Sequence, residues 1–146
     1  MNIFILDRDP ILAAQMQCDK HVVKMVLESA QILSTINGGP YKPTHQNHPC
    51  VLWAKAGKDN WDWLWYHALA LCIEYTRRYG KPHKCREVIE HVSGSMIPFG
   101  ATPFVQCMPE EFKGDDPVEA YRRYYRGAKA SFATWTNREV PSWWTV

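Results

Sequence analysis

Hydrophobic residues along the chain recur three or four positions apart, and no segment alternates convincingly between apolar and polar residues as a strand does. Asp-Pro pairs precede two of the periodic segments, and glycine with proline follows two of them. The pattern predicts helices over 11–17, 19–35, 49–79 with a weak point at Gly57, 82–92 and 117–132. We therefore expect an all-α fold: a compact, orthogonal helical bundle with an irregular aromatic C-terminal tail, forming one domain over residues 1–146.

Two long connections separate these predicted helices. Residues 38–48 are polar and rich in turn-forming residues, and residues 93–109 contain glycine, serine and three prolines. We expect the second connection to be an irregular loop that Phe99 and Phe104 pack against the bundle.

The segment 19–35 has two distinct faces. At about 100° per residue, its apolar face is centred on Ala30 and consists of Val23, Val26, Leu27, Ala30 and Leu33. His21, Lys24 and Glu28 project almost opposite, and His21 and Glu28, seven positions apart, can reach one pocket. Apolar side chains share that side, so a carboxylate there has the surroundings that favour general acid/base catalysis. The simpler alternative is an exposed ion pair between Lys24 and Glu28.

Composition excludes several classes of protein. With 46% hydrophobic residues and a formal net charge of +2, the chain is not a disordered polyelectrolyte. The apolar run at 3–6 is too short for a signal peptide or a membrane span. Five cysteines, an odd number without a C-x-x-C pair, fit neither a full disulfide framework nor a classical zinc knuckle. We therefore expect a cytoplasmic protein without a membrane partner.

Some histidines and cysteines are candidate zinc ligands. His45, His48 and Cys50 lie close together in the sequence, and Cys18 and His21 are further candidates. No pair of them has the spacing of a zinc finger. Because His48 precedes a proline at a predicted helix start, its ring more simply caps backbone groups or lines a neighbouring pocket. We therefore expect no metal site.

Seven tryptophans are several times an ordinary share for a chain of this length. Helical spacing assigns three of them to the core, namely Trp53, Trp61 and Trp65, whereas Trp63 projects away. The tail residues Trp135, Trp143 and Trp144 are candidates either for core packing or for stacking on a base.

Short runs of residues along most of the chain resemble one known family. They are Cys18-Asp19-Lys20-His21 followed by Lys24, Glu28 and Gln31-Ile32-Leu33, then Asn47-His48-Pro49 with Trp53, Cys72-Ile73-Glu74-Tyr75 with Arg77-Arg78-Tyr79-Gly80, and Met108-Pro109-Glu110-Glu111-Phe112-Lys113-Gly114-Asp115. Together they resemble the pyrimidine-dimer DNA glycosylases of the phage endonuclease V type. The resemblance covers residues 10–146 and implies an all-α DNA-repair enzyme of a bacterium or a phage-infected host. Such an enzyme binds duplex DNA, disturbs the base stack at a damaged site and cuts the glycosidic bond.

The resemblance also implies a mechanism and its residues. In this family the chain's own α-amine attacks the sugar C1′ to give an imine, and a glutamate assists before β-elimination breaks the strand. The matching glutamate is Glu28, and His21 would contact phosphate or position Glu28. An α-amine is less basic than a lysine amine, so more of it is neutral and nucleophilic near neutral pH. Initiator methionine is normally removed only before a small residue, so Asn2 leaves open whether the amine belongs to Met1 or to Asn2. This chemistry needs no cofactor.

The same resemblance implies binding to double-stranded DNA, and we expect the protein to be a monomer. Arg122, Arg126 and Lys129 recur at i, i+4 and i+7, a spacing that can follow a phosphate backbone. The full predicted contact set is Lys20, Lys24, His48, Arg77, Arg78, Arg122, Arg126, Lys129, Trp143 and Trp144. The alternative is that these basic side chains are solvated or, near Gly80, satisfy the end of a helix.

Two other functions stay open from the sequence. Asn2 departs from the family pattern, so the scaffold could instead serve a transferase or base-modifying enzyme that acts on modified or hypermodified pyrimidines in DNA. The second alternative is a DNA-binding module without catalytic activity.

Overall fold

The computed structural model describes residues 1–145. In this range the chain forms helices and no strands: α1 (Pro10–Met16), α2 (Asp19–Asn37), α3 (Pro49–Ala56), α4 (Lys58–Tyr79), α5 (Arg86–His91) and α6 (Pro117–Ala128), with a 3₁₀ turn at Glu110–Phe112. The predicted all-α fold is confirmed. α4 packs against α1, α2, α3 and α5 and is the central helix of the bundle. None of these helices combines the length and the apolar composition that crossing a membrane requires.

The start and stop signals act as the sequence predicts. The Asp9 carboxylate accepts hydrogen bonds from the backbone N–H groups of the first turn of α1, and Asp116 does the same at the start of α6. Each aspartate is followed by proline at the first helical position, where no N–H is needed. Gly38 and Gly80 end α2 and α4 with φ of 70° and 73°, a left-handed conformation that favours glycine.

The predicted weak point at Gly57 is a complete break, and two predicted boundaries are wrong. The region 49–79 is two helices rather than one, because Gly57 is extended and lies against the backbone of Gly100, where a side chain would clash. The fifth helix begins only at Arg86, after a turn in which the His83 carbonyl accepts the Arg86 N–H. The last helix ends at Ala128 rather than 132, because the chain turns so that the Lys129 carbonyl accepts the Phe132 N–H.

The buried face of α2 is wider than its periodicity predicts, and its centre is rotated away from Ala30 around the helix. Val26, Ala30 and Leu33 are buried as expected, but Val23 and Leu27 are 43% and 39% exposed. His21 and Glu28, predicted to lie on the opposite side, are buried at 6% and 7% exposure. The cause is tertiary: the N-terminal residues and α6 pack over the side of α2 that contains His21 and Glu28.

The connection at 93–109 is irregular, but only one of its two phenylalanines packs. The Phe104 ring lies 5.9 Å from the Trp53 ring and 5.5 Å from the Trp63 ring, between centroids. Phe99 is 98% exposed, so the prediction that it packs the loop is wrong.

Most tryptophans pack against the core, as spacing predicts for Trp53 and Trp61, which are 6% and 4% exposed. The tail also folds back onto the bundle. The Trp135 Nε1–H donates to the Met16 carbonyl at 2.9 Å, and the Trp143 and Trp144 rings lie edge-on to Tyr125. The irregular tail is therefore part of the packed structure as far as Trp144.

A buried hydrogen-bond network joins the N-terminal segment to α1 and α4. The Gln17 side-chain amide donates to the Ile3 carbonyl and to His67 Nε2, both at 3.0 Å. The other ring nitrogen of His67 lies 2.9 Å from the Pro10 carbonyl and donates to it. Burial lowers the pKa of His67 from 6.5 to about 4, although hydrogen bonds with backbone carbonyls oppose this shift.

This network makes stability depend on pH. Below pH 6.5 the unfolded chain protonates His67, whereas the folded protein keeps the ring neutral down to about pH 4. The free energy of unfolding therefore falls as pH drops through this window, by about 1.4 kcal/mol per pH unit for one histidine. We expect His67→Gln to remove that contribution in urea unfolding at pH 6.5, 5.5 and 4.5, whereas the exposed control His91→Gln keeps it. Equal pH slopes for His67→Gln and the unmodified chain would contradict this role.

Candidate active site

The first six residues form a fixed N-terminal segment. Ile3 to Leu6 are at most 4% exposed, which buries the short apolar run inside the bundle. The Asn2 side chain holds the segment on two sides: its Nδ2–H donates to the Cys107 carbonyl at 2.7 Å, and its Oδ1 accepts the N–H groups of Ile3 and Phe4. The position of the α-amine is therefore set by contacts with distant parts of the chain.

Glu28 of α2 lies beside this N-terminus and contacts its first two residues. The Met1 α-amine lies 3.5 Å from Glu28 Oε1, and the Asn2 backbone N–H donates to the same oxygen at 2.9 Å. Lys24 Nζ lies 3.9 Å from the other carboxylate oxygen, and its side chain is 67% exposed. Glu28 is thus a buried carboxylate with an amine on one side and a lysine on the other, so the exposed Lys24–Glu28 pair is not its main interaction.

An open cavity of about 340 Å³ borders the amine and Glu28. α2 contributes one wall and α6 with the following turn contributes the other; the lining residues are Met1, Asn2, Phe4, Lys20, His21, Lys24, Met25, Glu28, Tyr124, Lys129 and Phe132. Lys129 Nζ lies 4.6 Å from the centre of the Tyr124 ring, and Lys20 Nζ lies 4.6 Å from that of Phe132. The rim therefore combines positive charge with aromatic surface, the combination that suits a nucleotide.

His21 lies in the same cavity as a neutral ring. Burial, followed by the charges of Lys129, Lys24 and Lys20, lowers the pKa of His21 from 6.5 to about 3. Its Nδ1 lies 2.6 Å from the Tyr125 hydroxyl. Phe4 stacks on the ring at 4.1 Å between centroids, and Phe4 itself has φ of 57°, an uncommon value for a bulky residue. His21 is therefore a hydrogen-bonding group here rather than a cation.

His48 begins α3 close to the amine. Its Nδ1 accepts the Cys50 backbone N–H at 3.1 Å, which confirms the predicted capping role. Burial and the charge of the Met1 amine lower the pKa of His48. The Cys50 sulfur lies 3.2 Å from that of Cys107. The hydrogen bond between the two thiols raises the pKa of Cys50 and lowers that of Cys107.

A family model described as pyrimidine dimer DNA glycosylase matches residues 1–87, which is more than half of the chain. The chain belongs to the pyrimidine dimer DNA glycosylase family. The matched range includes the amine, Glu28 and the α2 wall of the cavity, whereas α6 lies beyond it. Searches of curated proteins and of solved structures found no match. Membership of this glycosylase family makes DNA the substrate and confirms the resemblance read from the sequence.

Four of the ten predicted DNA contacts lie at the cavity or beside it, and the other six lie elsewhere. Lys20, Lys24 and Lys129 line the cavity, and His48 lies next to the amine and Glu28. Arg77 is exposed but lies on a separate surface beside Ile11 and Ile73.

Arg78 is not placed to contact DNA. It is 3% exposed, and its guanidinium donates to Glu74, Asp19 and the Gln15 carbonyl. The sequence shows two adjacent arginines, and only the tertiary structure distinguishes the buried Arg78 from the exposed Arg77.

Two of the three basic residues predicted to follow the phosphate backbone, Arg122 and Arg126 of α6, are also hydrogen-bonded within the protein. Arg122 donates to the Leu6 carbonyl and to Asp7, and Arg126 donates to the Trp143 carbonyl. Trp143 and Trp144 pack edge-on beside Tyr125 and are half-buried, away from the residues that line the cavity. Of this group, Lys129 alone lines the cavity.

Sequence reasoning missed several residues that shape the site. The sequence prediction includes Phe4 only within the apolar run at 3–6 and does not include Tyr124 or Phe132, although all three line the cavity. The position of Tyr124 beside basic residues was a usable signal. The clamp between Asn2 and Cys107 joins residues 105 positions apart and has no local signal.

Proposed function

We propose that this chain is a DNA-repair glycosylase with abasic-site lyase activity that acts as a monomeric single domain on a damaged pyrimidine in double-stranded DNA. The observation that carries the proposal is the α-amine held 3.5 Å from the buried Glu28 carboxylate, beside a cavity with a basic, aromatic rim. A nucleophile next to a carboxylate is the arrangement that covalent glycosylase chemistry needs.

In the proposed first step, the neutral Met1 amine attacks C1′ of the damaged nucleotide. The bond from C1′ to the base breaks, and the base leaves with the electron pair and takes up a proton from solvent. Glu28 stabilises the positive charge that develops on the sugar and accepts a proton from the attacking nitrogen. The bond from C1′ to the ring oxygen O4′ then breaks, and O4′ takes that electron pair and the proton from Glu28, which leaves a protonated imine between Met1 and the opened sugar and returns Glu28 to its carboxylate form. Because Asn2 is not a small residue, we assign the amine to a retained Met1.

In the proposed second step, Glu28 removes a proton from C2′ of the imine. The electron pair forms a double bond between C2′ and C3′, and the 3′ phosphate leaves, which breaks the strand. Water then releases the sugar from Met1. His21, as a neutral ring, positions a sugar or phosphate oxygen by hydrogen bonding, and the lysines of the rim pair with phosphates.

The direct test of the proposed reaction uses a duplex with one cyclobutane thymine dimer, a matched undamaged duplex and a duplex with one abasic site. We expect the purified protein to cut the first and the third and to leave the second intact. Binding to all three without cutting any would favour a DNA-binding module. Chemical change of the base without strand cleavage would favour a base-modifying enzyme.

The lysine rim predicts how binding depends on salt. Lys20 is exposed at the cavity, so we expect Lys20→Ala to lower the slope of log affinity against log salt by about 0.9 unit, the contribution of one phosphate contact. Lys55, exposed on α3 and outside the cavity lining, provides the control Lys55→Ala. Equal slopes for the two variants would remove Lys20 from the DNA interface.

A further inference from the structure

Three potential metal ligands meet at the start of α3. The Cys50 and Cys107 sulfurs are 3.2 Å apart, and a nitrogen of His48 completes a group whose ligand atoms all lie within 4.8 Å of one another. Within residues 1–145, no other group of three histidine, cysteine or acidic side chains is close enough to share an ion. None of these three side chains lines the cavity or has a part in the proposed reaction.

The separation of the two sulfurs favours a shared metal ion over a disulfide. Two thiolates on a tetrahedral zinc ion, with bonds of about 2.3 Å, lie about 3.8 Å apart, whereas a disulfide needs about 2.05 Å. From the observed 3.2 Å, the sulfurs must open by about 0.6 Å for zinc and close by about 1.1 Å for a disulfide. Binding of a metal ion therefore needs the smaller displacement of the two sulfurs.

The chemistry of the donors is that of zinc. Two sulfurs and one imidazole nitrogen form a common zinc ligand set, and three protein ligands leave a fourth position for water. His48 Nδ1 has its lone pair directed at the Cys50 backbone N–H, so ligation there exchanges one capping hydrogen bond for a metal bond. Binding also releases the two thiol protons to solvent.

We propose that His48, Cys50 and Cys107 form a zinc-binding site. This ligand set differs from the candidate ligands that lie close together in the sequence. His45 is exposed and bonds to Thr44, and Cys18 contacts Tyr125 elsewhere in the core, so neither joins the group. Cys107, which closes the site, is 57 positions from Cys50.

Zinc at this site would stabilise the N-terminal clamp. The Cys107 carbonyl accepts the Asn2 side-chain N–H at 2.7 Å, so a metal that fixes Cys107 also fixes the residue next to the α-amine. The site therefore acts on the position of the N-terminus without touching substrate, and its existence does not depend on the proposed reaction.

The test uses Co²⁺ as a spectroscopic substitute for zinc, with the full chain stripped of metal under reducing conditions. We expect a thiolate-to-cobalt charge-transfer band that saturates at one ion per chain and disappears when zinc is added. Cys107→Ser should lose most of the band. The matched control Cys85→Ser, which alters a buried cysteine hydrogen-bonded to Tyr41, should keep it.

A second variant distinguishes loss of a metal ligand from loss of folding. His48→Asn keeps an amide oxygen that can cap α3 but removes the imidazole, so we expect a folded protein with zinc affinity lowered at least tenfold. Absence of the charge-transfer band in the unmodified chain would overturn the proposal, and so would an equal band in Cys107→Ser. A disulfide between Cys50 and Cys107 in zinc-free protein purified without reductant would overturn it as well.

Discussion

Replacement of Glu28 by glutamine is expected to abolish strand cleavage while DNA binding stays intact. A glutamine side chain has nearly the same shape, and its amide oxygen can still accept the Asn2 N–H that Glu28 accepts at 2.9 Å. It cannot accept a proton or balance positive charge on the sugar. We therefore expect the single-turnover rate of incision to fall by about 10²- to 10⁴-fold, the usual contribution of general acid/base catalysis.

The matched control for Glu28→Gln is Glu87→Gln. Glu87 is an exposed glutamate on α5, and its replacement should change neither rate nor affinity. The two variants should be compared by single-turnover incision and by binding to a dimer-containing duplex. A Glu28→Gln protein that keeps its incision rate would reduce Glu28 to a structural partner of the N-terminus.

The second large effect is on stability. Arg78→Ala should lower the free energy of unfolding by about 3–5 kcal/mol, the cost of breaking a buried ion pair. Arg78 is 3% exposed, and it bonds Glu74 at 2.8 Å and Asp19 at 3.0 Å. Although burial opposes ionisation of Glu74, hydrogen bonds from Arg138 and Arg78 hold its pKa below the usual value. Loss of Arg78 leaves these carboxylates with fewer partners.

Arg77→Ala is the natural control, because the neighbouring side chain is exposed. Its effect in urea unfolding should stay within about 0.5 kcal/mol, as for most surface positions. Similar losses for the two variants would contradict the buried network. Unchanged stability of Arg78→Ala, together with weaker DNA binding, would restore the DNA contact that the sequence predicts.

Helix starts were predicted well where the sequence has a local signal for them. The Asp-Pro pairs at 9–10 and 116–117 mark helix starts because both the cap and the proline act within one turn. The start of α5 and the end of α6 differ from the prediction because the turns there depend on backbone hydrogen bonds that periodicity does not report. The break at Gly57 depends on Gly100, which is distant in sequence.

The candidate site was predicted only in part, for a similar reason. Helical spacing correctly places His21 and Glu28 at one cavity, because both belong to α2. The burial of Arg78 depends on Asp19, 59 positions away, and the contact between Cys50 and Cys107 depends on the path of a loop. Such long-range contacts are set by the whole fold, and no spacing along the chain specifies them.

The central proposal is that the α-amine of Met1 is the nucleophile. The most direct measurement is borohydride reduction of the protein with an abasic duplex, followed by peptide mapping of the adduct by mass spectrometry. The account predicts a covalent protein–DNA adduct whose DNA fragment is attached to the amine of Met1. An adduct on a lysine side chain, or strand cleavage without any trapped adduct, would contradict it.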